Sequence, residues 1–125
     1  MIYLTYENNE GHQIALRVRD TLSSYGITVF VPPLLSRDIQ SQDFSELGRW
    51  LSDCETLIAV VTLEDRPPAL KWEIEAMERR RIAPVIRVDE YYSPEEELGP
   101  HHPDYPIAIL VVAHLFLAKI QRERK

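Results

Sequence analysis

Apolar residues fall in two rhythms along the chain, short dense runs separated by stretches in which they recur every three or four positions. Ile2 to Thr5 is a short β-prone run. Glu7, Asn8, Asn9, Glu10 and Gly11 follow with turn and N-cap chemistry. Ile14, Val18, Leu22 and Tyr25 then recur at helical spacing, with Gly26 placed for a left-handed C-terminal cap. Ile27 to Val31 is a second β-prone run, stopped by Pro32 and Pro33. The alternation repeats. After a loop from Pro32 to Gln42, Phe44, Leu47 and Leu51 predict a second helix, and Leu57 to Val61 is a fully apolar run that suits a strand covered on both faces. A loop from Leu63 to Ala69 leads to a third helix marked by Leu70, Ile74 and Met77, and then to a fourth strand, Val85 to Val88. Such alternation predicts a single α/β domain over residues 1–125, with a central parallel sheet of four or five strands, helices on both faces, and a site in the loops at the strand C-terminal ends.

Two regions read less simply. Asp89 to Pro106 is an acidic loop with four prolines, and a loop of that length is usually functional or mobile. Beyond Pro106, Ile107 to Val112 reads either as a fifth strand buried on both sides or as the start of a helix. The helical reading puts Ile107, Leu110, Val111, His114 and Ala118 on one face and Ile109, Val112, Phe116 and Ile120 on another. Two apolar faces need two partners, so this reading predicts a homo-oligomer.

Composition narrows the function classes. At 125 residues the chain can bury a core without disulfides or metal. A net charge of −6 disfavours nucleic-acid binding, since the one basic cluster, Arg79, Arg80 and Arg81, falls at a helix C-terminus where it complements the helix dipole. A single cysteine, Cys54, and a strand directly after Met1 point to the cytoplasm. Ile107 to Ala118, the longest apolar run, is shorter than the ~20 residues that span a bilayer, so no membrane partner is expected.

The chemistry-bearing residues are few. Neither G-x-G-x-x-G nor a P-loop pattern occurs, and 4 glycines give the backbone little means of wrapping a pyrophosphate. The segment Lys71-Trp72-Glu73-Ile74-Glu75 opens the third helix. Glu75 has Lys71 and Arg79 within helical reach and reads as a solvated surface residue, whereas Glu73 has Ala69, Leu70, Ala76 and Met77. With no cation in local reach, Glu73 sits at the edge of the apolar face near the strand-end cleft, a setting suited to acid/base work. The alternative is a first-turn acid favoured by the helix dipole. His101, His102 and Asp104 lack a third ligand at zinc spacing, so no metal is expected. Cys54 reads as a small core residue.

Several segments together resemble the Toll/interleukin-1 receptor (TIR) domain, in its bacterial form. Tyr3-Leu4-Thr5-Tyr6 is similar to that family's first-strand motif and Gly26-Ile27-Thr28-Val29-Phe30 to its second strand. Phe44 through Cys54 resembles the helix before its third strand, and Trp72-Glu73-Ile74-Glu75-Ala76 followed by Pro84-Val85-Ile86 its next helix and strand. The resemblance spans about residues 2 to 88 and implies a flavodoxin-like, TIR-like three-layer sandwich. It also implies that Glu73 is the catalytic carboxylate cleaving the nicotinamide glycosidic bond of NAD or NADP, which are substrates rather than cofactors, in a bacterial defence or signalling role. Thr5, Tyr6, Asn8, Thr62 and Trp72 would border the substrate. Where the family usually carries serine and tryptophan before the glutamate, this chain has Pro67, Pro68 and Ala69, which leaves a non-catalytic interaction module as an alternative. Trp72-Glu73 is also similar to the aromatic-Glu start of the corresponding helix in nucleoside 2-deoxyribosyltransferases and related N-glycosidases.

Overall fold

The computed structural model describes residues 1–38, 44–62, 67–81 and 84–124. Four strands form one all-parallel sheet: β1 (Ile2–Tyr6), β2 (Val29–Phe30), β3 (Thr56–Val60) and β4 (Val85–Val88), in the order β2-β1-β3-β4. β1 and β3 lie in register along their whole length, from Ile2 opposite Thr56 to Tyr6 opposite Val60. Each has a strand on both sides and helices above and below, which is why their residues are almost all buried. The α/β fold with a parallel sheet is therefore as expected, with four strands among the described residues, the lower of the two numbers expected.

The strand pleat sorts side chains into two cores. On one face Leu4, Ile58, Val60, Ile86 and Val88 meet Ile14, Val18 and Leu22 of α1 (Asn9–Ser23) and Ile107, Val111 and Leu115 of α5 (Tyr105–Glu123). On the other, Tyr3, Leu57 and Ala59 meet Leu51 of α2 (Ser45–Ser52) and Leu70, Ile74 and Met77 of α3 (Pro68–Arg79). Cys54 is free and buried in this second core, where burial pushes its thiol up to about 11.

Local chemistry explains the element ends. Asn8 caps α1 by accepting from the Gly11 N–H at 3.0 Å. Gly26, at φ +78°, closes that helix: its N–H bonds to Ser23 O and the Ile27 N–H to Leu22 O, each at 3.0 Å, the paired bonds of a Schellman end. The helix thus stops before Tyr25, which was expected on its apolar face and is instead 77% exposed. β2 is shorter than the run Ile27 to Val31, because it is an edge strand with Pro32 and Pro33 directly behind it.

Other expectations change or resolve. α3 begins at Pro68, a residue pre-organised for a first helical turn, so Glu73 lies in its second turn and not at its head. The segment from Asp89 to Pro106 is not an open loop: it contains α4 (Pro94–Glu97) and a chain of turns, and Tyr92 and Leu98 pack on the first core. The open choice over Ile107 to Val112 resolves to helix, because Ile107, Val111 and Leu115 recur on one buried face. α5 runs past Ala118 to 19 residues, with a mean hydropathy of 1.3 over its most apolar window. By length and composition alone it could cross a membrane, contrary to the estimate from the apolar run. In this fold its buried face is part of the core.

Within the basic cluster, Arg79 lies in the last turn of α3, as the helix-dipole expectation requires, while Arg80 acts differently. The Arg80 guanidinium donates to Cys54 O at 2.6 Å and Leu51 O at 3.3 Å, so it satisfies carbonyls at the end of α2 rather than of its own helix.

Candidate functional site

Thr5 and Tyr3 are on the same side of β1 and point toward α3. There the Glu73 carboxylate, with 0% of its surface exposed, accepts from both: from the Tyr3 hydroxyl at Oε2 and from Thr5 Oγ1 at Oε1, 2.6 Å away. The cation that local spacing did not supply comes from 36 residues away. Arg37, on a 3-10 turn at Leu34–Asp38, lays its guanidinium along the carboxylate, Nη1 to Oε1 and Nη2 to Oε2, both at 2.9 Å. This is the parallel fork that makes Arg–carboxylate pairs strong and directional.

Arg37 is held on its other sides too. Nη1 donates to Thr5 Oγ1 and to the Tyr6 carbonyl, each at 2.8 Å, and Nε and Nη2 donate to Ser36 Oγ at 3.2 and 3.0 Å. The guanidinium carbon lies 4.8 Å from the centroid of the Tyr6 ring, over its face. Burial works against the charge of Arg37, but hydrogen bonding and attraction to Glu73 outweigh it, and its pKa is raised. Tyr6 is anchored by its hydroxyl, which donates to Pro32 O at 2.5 Å, and its ring packs against His12 at 4.9 Å.

The remaining nominated residues separate. Asn8 Nδ2 donates to Thr62 Oγ1 at 3.0 Å, joining the segments that leave β1 and β3. The sheet order places this bond at the topological switch point, where strands to either side run outward in opposite senses and α/β sheets hold ligands. Close by, a cavity lined by Glu10, Val61, Thr62, Glu90, Leu115 and Arg122 has a volume of about 10 Å³, room for one water. Trp72 is not part of the Glu73 cluster. Its ring meets Phe44 at 5.4 Å and lies against Gly48, where an added Cβ would come within 3.2 Å of the indole. Half-buried between α2 and α3, it acts through packing. Trp72→Phe should therefore unfold nearly like the native chain in urea, and Trp72→Ala should cost on the order of 2 kcal/mol, below the range for a fully buried ring.

Glu75 is exposed, as expected. Among the described residues no cluster of three metal-ligating side chains occurs, and His102 Nδ1 accepts from the Asp104 N–H at 3.1 Å in a local turn. The residues missed by sequence reasoning are Arg37, Ser36 and the Tyr3 hydroxyl.

Two tyrosines give the site a measurable signature. Burial, then the charge of Glu73, raise Tyr3 well above the usual tyrosine range; burial pushes Tyr6 up to about 12 despite the nearby charge of Arg37. Raised folded-state values mean that the stabilising contribution is complete below pH ~10, the unfolded tyrosine value, and is lost as pH climbs toward the folded values. Of the six tyrosines, Tyr3 and Tyr6 should ionise only with alkaline unfolding, seen as a late step in absorbance at 295 nm that coincides with loss of circular dichroism.

No protein-family model matches the chain, and no curated protein matches it. Among solved structures it is similar to a chain described as "Split gene transketolase, inactive beta4 tetramer", with 14% identity and a TM-score of 0.53. The match covers 94% of this chain and 37% of that one, so this chain spans little more than a third of its length. The likeness shows the α/β fold alone.

Proposed function

We propose that this domain is a TIR-like N-glycosidase that cleaves the bond between nicotinamide and ribose in NAD or NADP, with Glu73 as its catalytic carboxylate. The supporting observation is the cluster itself: a carboxylate, a guanidinium and two hydroxyls gathered beside the C-terminal end of β1. A buried ion pair is a poor device for stability, because well-packed apolar residues usually do as well or better. Such a cluster near the ligand-binding end of a parallel sheet suits recognition of charge.

The reaction asks little else of the protein. The bond from ribose C1′ to the pyridine nitrogen breaks with its electron pair going to nitrogen, so the already cationic ring leaves neutral and needs no general acid. Positive charge grows on the ribose, which a carboxylate stabilises. Water adds at C1′ and releases a proton. Acid/base positioning contributes about 10²–10⁴-fold, and electrostatic stabilisation adds to it. Thr5, Tyr6, Asn8 and Thr62 border the path to Glu73 in this reading, and turnover requires the Arg37 side chain to yield its place. A cytoplasmic defence or signalling role belongs to the same resemblance.

The test is product chromatography after incubating concentrated protein with NAD, NADP and a panel of deoxynucleosides, with activity expressed per folded molecule. Glu73→Gln should abolish cleavage of the pyridine nucleotides and Glu75→Gln should leave it unchanged. Equal losses, or activity surviving in Glu73→Gln, would refute the assignment. Turnover of deoxynucleosides alone would transfer the chain to the deoxyribosyltransferase-like chemistry.

A second reading, a non-catalytic assembly module, is favoured by the free face of α5, where Ile109, Phe116 and Leu117 are exposed. It predicts self-association without turnover.

A further inference from the structure

Apart from Ser36 Oγ, which belongs to the same turn as Arg37, the parts that surround the Arg37 guanidinium come from the sheet and α3. Glu73 offers a two-point fork, the Tyr6 ring a π-face, and Thr5 Oγ1 and the Tyr6 carbonyl two further acceptors. Together these make a receptor for a flat cation: fork at one edge, acceptors at another, aromatic face alongside. The turn that delivers Arg37 has little apolar anchoring, since Leu34 is exposed and Leu35 is 80% exposed, while Arg37 itself is only 7% exposed. The guanidinium lies at the buried end of a turn whose Leu34 and Leu35 are exposed and whose Ser36 is buried beside it.

From this geometry we infer that the Glu73 pocket is a binding site for planar organic cations of the guanidinium class, and that Arg37 is its tethered occupant. The strap of Leu34–Asp38 thereby covers the site. A flat cation can present two N–H groups to both carboxylate oxygens while lying over the Tyr6 ring. A tetrahedral ammonium cannot do both. The inference rests on reading the Glu73 cluster as a ligand site, and it concerns binding and not turnover.

The test removes the occupant and supplies it in trans. Arg37→Ala, in the full chain, is melted in 0–50 mM guanidinium chloride, with sodium chloride and methylammonium chloride at equal concentration as controls. Guanidinium is expected to raise the melting temperature by a few degrees in a saturable way, because a ligand that binds only the folded state stabilises it by mass action. The native chain, whose site is filled, should show no rise, and neither should Arg37→Ala/Glu73→Ala. No rise specific to guanidinium, or an equal rise in the double variant, overturns the inference. Should Arg37→Ala not fold unaided, refolding yield in the same three salts is the readout: recovery with guanidinium only supports the site, and equal failure in all three overturns it. Rescue in a chain that never cleaves NAD would keep this inference and remove the glycosidase reading. Cleavage by the native chain without rescue of Arg37→Ala would do the reverse.

Discussion

Glu73→Gln is expected to lower the free energy of unfolding by about 3–5 kcal/mol, although glutamine keeps the shape of the side chain. The loss follows from what remains. With the carboxylate gone, the Arg37 guanidinium stays 7% exposed with no counter-charge, and one of the two oxygens that accept from its fork becomes an NH₂ that opposes another donor. Removing one partner of a buried pair exposes the desolvation cost of the other. Glu75→Gln, on the exposed side of the same helix, should stay within about 0.5 kcal/mol of the native chain. Urea unfolding with an unchanged m-value measures both. Arg37→Met/Glu73→Leu should recover much of the lost stability, because no charge is left stranded, and the coupling from that cycle separates the pair from its packing. Native-like stability in Glu73→Gln would mean that the cluster is solvated and the described geometry does not hold in solution.

That expectation corrects a sequence-level one, in which Glu73 has no cation in local reach. Local rules reach three or four positions along a helix, and Arg37 is 36 positions away on a turn with no periodicity of its own. A lone arginine after Val31-Pro32-Pro33-Leu34-Leu35-Ser36 gives no pattern from which its target can be read. Tyr3 was missed for another reason: a tyrosine in a strand reads as apolar, and its hydroxyl acts only once the strand meets α3. What periodicity can reach was legible. The continuous run Leu57 to Val61 reads as a strand covered on both faces because β3 is central, and the spacing of Ile14, Val18 and Leu22 reads as the buried face of α1 because one surface of that helix meets the sheet. Trp72 was assigned to the substrate by adjacency to Glu73, yet consecutive residues of a helix diverge. Its ring instead lies on the side facing α2, against Phe44 and Gly48.

Phe116→Glu is expected to abolish a concentration-dependent self-association that the native chain shows in sedimentation. α5 buries Ile107, Ala108, Val111 and Leu115. Across the helix, Ile109, Ala113, Phe116 and Ile120 follow one another at intervals of four, three and four, the spacing of a helix-pairing seam, with Leu117 beside it. Phe116, at its centre, is 60% exposed. The charges favour a second copy laid antiparallel: Lys119 and Arg124 lie toward the helix C-terminus, while Glu95, Glu96 and Glu97 of α4 precede its N-terminus. Antiparallel pairing brings these opposite charges together and opposes the two helix dipoles, whereas a parallel pair would crowd like charges. The seam is only about 16 Å long at 1.5 Å per residue, so the interface is small and the dimer should dissociate in the micromolar range or above. A glutamate at position 116 would place two like charges near the twofold axis, and monomer should dominate at every concentration. A native chain that sediments as a monomer throughout, indistinguishable from Phe116→Glu, would rule out the seam as a contact between copies. Flotation of the native chain with lipid vesicles, lost in Phe116→Glu, would assign the same face to a bilayer instead.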